Sequence, residues 1–239
     1  MRTIDPAWRC VVLVRHGETW ENRSGALQGQ DPRRGRLTPE GMEQARAAGR
    51  ALAAEPFEAV HCSPLERAVL TMSLMLCERP PPGPGEAPAT LPLAFHDALR
   101  EIDMGTLHGA TRTDWLAAAK AHGDLANFAP DGGESWNAVQ ARVGAFFDET
   151  LRHAEQRSVL VVAHGGVVRG VLTHLAGEPM AMTWAGLGQG PAQENGAINR
   201  VWLDADGAVR AMMANDRRHL GGEGGVWWTP ERPSWQAQG

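Results

Sequence analysis

The sequence has no tyrosine, one lysine and no long hydrophobic segment. No stretch approaches the roughly 18 apolar residues that a transmembrane helix needs, and residues 1–10 lack the hydrophobic core of a signal peptide. We therefore expect no membrane attachment. The formal net charge of -5 at pH 7 also argues against a nucleic-acid-binding protein, which usually carries a basic surface patch.

Cysteine is also scarce. Cys10, Cys62 and Cys77 are odd in number and lack the spacing of a zinc site. Cys10 and Cys62 lie in apolar, strand-like runs, where a free thiol behaves as a small hydrophobic side chain. No disulfide framework is expected, and the pattern predicts a cytoplasmic protein with reduced thiols.

The remaining composition is that of a soluble globular enzyme. The chain has 239 residues, of which 43% are hydrophobic and 21% charged, enough for one sizeable core. Strand and helix patterns alternate, which predicts a three-layer α/β/α fold with a mostly parallel sheet. We predict a single domain over residues 1–220, with a small cap segment at about 104–135, and a C-terminal tail at 221–239.

Capping residues mark the predicted helices. Thr38-Pro39 predicts the N-cap and first residue of a helix that runs to about Ala54. Ser63-Pro64-Leu65-Glu66 fits a capping box, which predicts a second helix to about Cys77. Ser135 is predicted to cap a later, amphipathic helix.

Turn signals separate the other elements. Residues 204–207, Asp-Ala-Asp-Gly, predict a hairpin turn between strands at 197–203 and 208–213. The proline-rich segment 79–90 predicts a surface loop. From Gly221 onward no period is readable, so no element is predicted there.

Two apolar runs, far apart in the sequence, each end in a histidine followed by glycine. Cys10–Val14 leads into Arg15-His16-Gly17, and Ser158–Ala163 leads into His164-Gly165-Gly166. Open α/β sheets bind their ligands at the ends of strands. We therefore expect both histidines to meet at one pocket, beside an arginine that can hold an anion.

The residue types around these histidines suit phosphoryl transfer. A neutral imidazole is a nucleophile that can form a covalent intermediate, and the reaction mainly requires positioning and neutralisation of the phosphoryl oxygens. Arg15 lies beside His16, and Arg67 lies in the first turn of the second predicted helix. Together with His164 and the free backbone amides after it, they would supply positive charge without a metal.

A proton donor is also required. The leaving alcohol must gain a proton, and the attacking water must then lose one. Glu101 is the candidate for both tasks, because the charge of a bound phosphate favours the protonated acid in the first step. Asp97 and Asp103 lie close in the sequence, and Asp103 is the alternative.

In their order, these segments resemble the histidine phosphatase superfamily, whose fold and active site are shared with the cofactor-dependent phosphoglycerate mutases. The resemblance extends from about Val11 to Leu220. The matching segments are, in order, Leu13–Thr19 with Asn22, Gln28-Gly29, Leu37–Gly41 with Gln44-Ala45, Ser63–Ala68 with Thr71, Leu99–Glu101 with Gly105 and Gly109, Gly133–Ser135, and Val162–Gly166.

The resemblance implies a role for each matching site residue. His16 would be the phosphorylated nucleophile, Glu101 the proton donor and acceptor, and His164 a stabiliser of the transferring charge. The implied substrate-binding residues are Arg15, Asn22, Arg67 and Gly165 around the phosphoryl group, and Gln28 and Gly29 beside the rest of the substrate. Neither a metal nor an organic cofactor is implied for a phosphatase.

One departure from the family bears on the reaction. Mutases of this family carry a longer insertion, rich in tyrosine and basic residues, after the segment that corresponds to Gly109. Here residues 110–131 contain no tyrosine, and their Arg and Lys side chains are Arg112 and Lys120. This favours a phosphatase for phosphomonoesters of small metabolites. A phosphoglycerate mutase and a non-catalytic phospho-ligand-binding or interaction module are the alternatives, and a homodimer is left open.

Overall fold

One sheet organises the described part of the chain. The computed structural model describes residues 4–81, 90–180 and 193–237. Within them, the strands are β1 (Arg9–Arg15), β2 (Ala59–Cys62), β3 (Leu93–Phe95), β4 (Ser158–Ala163), β5 (Ile198–Leu203), β6 (Val209–Asp216), β7 (Val226–Thr229) and β8 (Arg232–Ala237). Their spatial order is β3-β2-β4-β1-β5-β6-β7-β8.

The centre of the sheet is parallel. Strands β3, β2, β4 and β1 pair in parallel, and β5 to β8 extend the sheet as antiparallel strands. Parallel strands need crossover connections, and here these carry helices. Every residue of β4 is buried, as expected of a strand that is covered on both faces.

Helices cover both faces of the sheet. They are α1 (Trp20–Ser24), α2 (Pro39–Ala51), α3 (Glu66–Cys77), α4 (Arg112–His122), α5 (Trp136–Phe146) and α6 (Gly165–Ala176). A π-helical turn, Phe147–Leu151, continues α5. Among the described residues, no helix combines the length and the apolar character that crossing a bilayer demands.

The side chains of β1 contribute alternately to two apolar layers of the core. Val11 and Leu13 belong to an apolar cluster with residues of α5 and α6, whereas Val12 and Val14 belong to a second cluster with residues of α2 and α3. Successive side chains of a strand point to opposite faces, so the two clusters lie on the two sides of the sheet. The predicted α/β class with helices in the outer layers is confirmed.

The predicted caps are confirmed at two helices and wrong at a third. The Thr38 and Ser135 side chains accept hydrogen bonds from backbone N–H groups of the first turns of α2 and α5. Helix α3 instead begins at Glu66, after an N-cap, Leu65, that makes no side-chain cap bond. The Ser63 hydroxyl lies before the helix, where it accepts from the Leu65 N–H at 3.3 Å and lies 2.7 Å from Nε2 of His164.

The C-terminal residues contain two strands that the sequence did not predict. Strand β7 pairs with β6, and β8 pairs with β7. Trp227 of β7 stacks on Trp202 of β5, with ring centroids 5.3 Å apart. The predicted hairpin at 204–207 is confirmed, since β5 and β6 pair across it.

The other boundary predictions are not decided by the fold. Most of the predicted loop at 79–90 falls in residues 82–89, which lie outside the described residues. The domain division at residue 220 and the cap segment at 104–135 stay predictions.

Candidate active site

Two adjacent strands deliver the two histidines to one point. Strands β1 and β4 pair in parallel, with Arg15 opposite Ala163 at their carboxyl ends. The His16 backbone N–H donates to the Ala163 carbonyl at 2.9 Å. The rings of His16 and His164 therefore come close, with centroids 5.2 Å apart.

The His16 ring is neutral and has a defined tautomer. Its Nδ1 lies 2.7 Å from the Gly17 carbonyl oxygen, and because a carbonyl only accepts, Nδ1 carries the proton and Nε2 keeps its lone pair. Burial lowers the pKa of His16 well below its ordinary value, and the charges of Arg67 and Arg15 lower it further. At neutral pH this imidazole is therefore an uncharged base.

The turn after His16 packs so closely against α2 that neither Gly17 nor Gly41 has room for a side chain. A Cβ added at Gly17 would lie 2.1 Å from the Gly41 carbonyl oxygen, and one added at Gly41 would lie 2.0 Å from the Glu18 carbonyl oxygen. These two glycines allow the first turn of α2 to pack against the His16 loop. The Thr71 hydroxyl of α3 holds the same turn by accepting from the Gly17 N–H at 3.1 Å.

Arg67 and His164 form a buried pair. The Arg67 Nε donates to His164 Nδ1 at 3.1 Å, and its Nη2 donates to the Gly29 carbonyl at 2.8 Å. Since Nδ1 accepts, the His164 proton resides on Nε2 and is donated to the Ser63 hydroxyl. Both ring nitrogens are thus engaged, and in this geometry His164 orients Arg67. A direct contact of His164 with a phosphoryl group stays a prediction.

The charges of this pair differ. Burial lowers the pKa of Arg67 to about 10, opposed by the negative charge of Glu101, so the guanidinium is charged at neutral pH. Burial, followed by the charges of Arg67 and other nearby groups, lowers the pKa of His164 well below its ordinary value. The pair therefore presents one positive charge, on Arg67.

Polar side chains of the loop after His16 are fixed by one another. Thr19 caps α1, and its hydroxyl donates to the Asn22 side-chain oxygen at 3.0 Å and lies 3.2 Å from Gln28 Oε1. Asn195, which the sequence did not indicate, donates to both Asn22 Oδ1 and the His16 carbonyl. Asn22 and Gln28 are thereby held beside His16.

Glu101 lies at the N-terminus of α6. Its Oε2 accepts from the Gly166 N–H at 3.1 Å, and its Oε1 accepts from the Ile102 N–H at 3.0 Å. A Cβ added at Gly166 would lie 2.1 Å from Glu101 Oε1, which explains the second of the two glycines that follow His164. Asp103, the alternative acid, binds the Gly105 N–H and does not line the cavity described below.

A second group of side chains holds the loop that carries Glu101. Arg142 of α5 donates from Nη1 to the carbonyls of Ala98 and Arg100, at 2.7 and 3.0 Å. Its Nε and Nη2 donate to the two carboxylate oxygens of Glu134, at 3.1 and 2.9 Å. We call Arg142 and Glu134 the loop clamp, because both bind backbone groups around Glu101.

Glu134 and Gln30 complete the support of this loop. Glu134 Oε2 accepts from the Asp103 N–H at 3.0 Å, and Gln30 Nε2 donates to the Glu101 carbonyl at 2.8 Å. The Gly133-Glu134-Ser135 segment of the resemblance thus contributes the carboxylate of the clamp and the N-cap of α5.

These residues surround a cavity of about 210 Å³. Its walls are formed by Arg15, Asn22, Ala26, Leu27, Gln28, Gly29, Glu101, Ile102, Met104, Arg112, Trp136, Gly165, Gly166, Arg169 and Gln193. Six of the nine predicted site residues are in this lining. Of the other three, Arg67 donates to the carbonyl of the lining residue Gly29 and to His164 Nδ1, and the His16 ring lies 5.2 Å from that of His164.

Among the lining residues that were not predicted as site residues, two polar ones stand out. Arg169 and Gln193 both line the cavity, and each has a buried polar atom without a hydrogen-bond partner in the described part of the chain. An arginine four residues after Gly165, within the otherwise apolar run Gly165–Leu172, was the available signal for Arg169. No signal in the sequence indicated Gln193.

Known proteins with similar sequence were compared with the chain. Residues 11–216 match the sequence model of the histidine phosphatase superfamily, branch 1. The adenosylcobalamin/alpha-ribazole phosphatase of Salmonella typhi is 32% identical over 172 residues, which cover 72% of this chain and 82% of the relative. The 2,3-bisphosphoglycerate-dependent phosphoglycerate mutase of Cytophaga hutchinsonii is 30% identical over 176 residues, covering 69% of this chain and 76% of the relative.

Solved structures give a similar result. The crystal structure of the alpha-ribazole phosphatase from Shigella flexneri matches with a TM-score of 0.68 and 27% identity, over 82% of this chain and 92% of that chain. The relatives thus include both phosphatases and a phosphoglycerate mutase.

Proposed function

The chain belongs to the histidine phosphatase superfamily, and from this premise we propose that it hydrolyses phosphomonoesters of small metabolites through a phosphohistidine on His16. The observation that carries the proposal is the buried His16 ring, neutral and with its lone pair on Nε2, beside the charged guanidinium groups of Arg15 and Arg67. A neutral imidazole attacks phosphorus, and the guanidinium groups neutralise the equatorial oxygens.

The first step transfers the phosphoryl group to the enzyme. His16 Nε2 forms a bond to phosphorus while the bond from phosphorus to the leaving alkoxide breaks, and protonated Glu101 gives its proton to that oxygen. Arg15 and Arg67 bind the phosphoryl oxygens with charge-assisted hydrogen bonds, which stabilise the transition state. The alcohol leaves, and His16 holds the phosphoryl group.

The second step regenerates the enzyme. A water attacks phosphorus, and the Glu101 carboxylate removes its proton as the bond from phosphorus to His16 Nε2 breaks. Inorganic phosphate leaves, His16 is again neutral and Glu101 is again protonated. The same carboxyl group thus acts as acid and then as base.

The mutase is the second candidate, because a relative of 30% identity carries that name. The two reactions differ in whether water or a second hydroxyl group accepts the phosphoryl group. The segment at 110–131 supports the phosphatase because it has no tyrosine and, of its Arg and Lys side chains, Arg112 lines the cavity while Lys120 is exposed on α4. The presence of all nine site residues argues against the non-catalytic module.

The identity of the acceptor can be measured directly. We expect the protein to release free phosphate from 3-phosphoglycerate and from simple phosphomonoesters, and to incorporate one oxygen of ¹⁸O-labelled water into each phosphate released. Phosphate is measured colorimetrically, and isotope content by mass spectrometry. Interconversion of 3- and 2-phosphoglycerate without release of phosphate would instead identify a mutase.

The loop clamp makes Arg142 a positioning residue for Glu101. Arg142→Met is expected to lower kcat by roughly ten to a hundredfold on alkyl phosphates, whose leaving group needs the proton, with little change in KM. On p-nitrophenyl phosphate the burst of nitrophenolate is expected to be little slowed, since nitrophenolate leaves without protonation, whereas the steady-state rate falls because the second step needs the base. Stopped-flow absorbance on p-nitrophenyl phosphate and steady-state kinetics on alkyl phosphates measure this difference.

Two further variants control this experiment. Arg142→Lys keeps the charge and is expected to restore part of the rate. Arg152→Met removes an arginine that pairs with Asp148 away from the site, and its kinetics are expected to be unchanged. A burst on p-nitrophenyl phosphate that is slowed as much as kcat on alkyl phosphates in Arg142→Met would show that the clamp has a structural role and does not position the acid.

A further inference from the structure

Arg169 is a cavity-lining arginine to which the proposed reaction gives no role. It lies on α6, four residues after Gly165. Residues four apart on a helix share a face, and their Cα atoms are about 6 Å apart along the axis. Arg169 therefore stands on the same face of α6 as the Gly165 amide that is predicted to contact the phosphoryl group.

The Nε of Arg169 is buried and makes no hydrogen bond in the described part of the chain. The ion pairs among those residues do not include Arg169, and the opposite charge that acts on it is that of Glu101. Glu101 is the acidic residue of the cavity lining, and its two oxygens are engaged by the N–H groups of Gly166 and Ile102. Residues 181–192, which precede the lining residue Gln193, contain no aspartate or glutamate.

The charge on Arg169 is held in surroundings of the same sign. Burial lowers the pKa of Arg169 to about 10, the charges of Arg15 and Arg112 lower it further, and Glu101 opposes them. The group is still charged at neutral pH. A buried charge without a partner is costly, so a ligand that supplies the opposite charge here gains a strong interaction.

A phosphoryl group alone does not satisfy this arginine. In the proposed reaction Arg15 and Arg67 bind the phosphoryl oxygens, which leaves Arg169 as a further positive charge on the same wall. Gln193 adds an unpaired acceptor, since its Nε2 donates to Asn199 while its buried Oε1 has no partner among the described residues. The wall beyond the phosphoryl site is therefore polar and positively charged.

We propose that Arg169 binds a second anionic group of the substrate, so that the preferred substrates are phosphomonoesters that also carry a carboxylate or a second phosphate. This inference rests on the proposed function. The second anion lies on the same face of α6 as the phosphoryl group, and it forms charge-assisted hydrogen bonds with the guanidinium. Arg169 in this reading determines specificity and takes no part in the proton transfers.

The test uses pairs of substrates that differ in one anionic group. 3-Phosphoglycerate is compared with glycerol 3-phosphate for the carboxylate, and propane-1,3-diol bisphosphate with its monophosphate for the second phosphate. In at least one pair, we expect kcat/KM of the wild type to be at least about tenfold higher for the substrate with the second anionic group than for the substrate without it. A hydrogen bond to a charged group contributes that much. The pair that shows the preference identifies the anion.

Substitution of Arg169 then tests whether this residue causes the substrate preference. Arg169→Met and Arg169→Gln are expected to bring the ratio of kcat/KM within the preferred pair close to one, mainly by raising KM of the doubly anionic substrate. Arg152→Met, the control on the far ion pair, is expected to keep the wild-type ratio. If neither Arg169 variant folds by circular dichroism, the wild-type ratios still decide the outcome.

Different results would overturn the second anion subsite alone and the proposed phosphatase function. Hydrolysis of p-nitrophenyl phosphate together with wild-type ratios near one in both pairs overturns the second anion subsite and leaves the phosphatase intact. A preference that persists in folded Arg169 variants also overturns the subsite. No hydrolysis of any phosphomonoester, and no phosphorylated enzyme, overturns the proposed function and this inference with it.

Discussion

His16→Ala abolishes hydrolysis of p-nitrophenyl phosphate, with an expected loss of at least about 10³-fold in kcat, because the covalent route through the imidazole is gone. The only other histidine within ring contact, His164, has both ring nitrogens engaged by Arg67 and Ser63, so it cannot replace the lost nucleophile without breaking those bonds. The Arg15 and Arg67 groups can still bind phosphate in the variant. Substrate binding is therefore expected to survive the loss of turnover.

Trapping of the intermediate makes this prediction specific. Wild-type protein mixed with ³²P-labelled substrate and quenched in alkali, where phosphohistidine is stable, is expected to retain label, and His16→Ala is not. His122→Ala is the matched control: this histidine also precedes a glycine, but it is exposed at the end of α4. Near-ultraviolet circular dichroism, for which the chain provides nine tryptophans, checks the fold of each variant. Label retained by His16→Ala would refute the assignment of the nucleophile.

The sequence predicted the placement of the two histidines because that placement follows from local patterns and one topological rule. The apolar runs before His16 and His164 are long enough to be strands, and parallel neighbours bring their carboxyl ends to the same edge of a sheet. The same reasoning placed Arg67 in the first turn of α3, although that helix begins at Glu66 and not where the capping pattern indicated.

The features that the sequence did not predict depend on distant partners. Ser63 fits a capping box by its neighbours, but its hydroxyl pairs with His164, 101 residues away in the sequence. The clamp of Arg142 on the loop at Ala98 and Arg100 likewise joins residues whose charges alone do not indicate a partner. Strand β7, Val-Trp-Trp-Thr, consists of residues with high strand propensity, but the run is short and has no alternating pattern, and the strand depends on pairing with β6.

Burial and neighbouring charges give His16 and Arg67 different protonation states at neutral pH. His16 is kept neutral by burial and by the neighbouring arginines, which a nucleophile requires, whereas Arg67 stays charged because its pKa, although lowered, is about 10. The same surroundings thus give a base that is unprotonated and an anion-binding group that is protonated at neutral pH. Glu101 lies outside the buried histidine pair, on the cavity wall, which is the place that the proposed acid and base requires.

Glu101→Gln is expected to separate the two chemical steps. The amide has nearly the shape of the carboxyl group, and its oxygen can still accept from the Gly166 N–H, so the site geometry is retained. On alkyl phosphates kcat is expected to fall by roughly 10² or more, because the alkoxide leaves without a proton. On p-nitrophenyl phosphate the first step needs no proton, but hydrolysis of the phosphohistidine lacks its base.

The variant should therefore release one nitrophenolate per enzyme in a burst and then turn over slowly, with phosphorylated His16 accumulating. Stopped-flow absorbance measures the burst, and alkaline quenching measures the label on the protein.

Asp103→Asn is the matched control, since this neighbouring carboxylate binds the Gly105 N–H at 2.9 Å and is absent from the cavity wall. An unchanged rate of Glu101→Gln on alkyl phosphates, with a large loss in Asp103→Asn, would move the proton transfers to Asp103. A burst in Glu101→Gln would place the base at position 101, because only the step that needs a base is then slow.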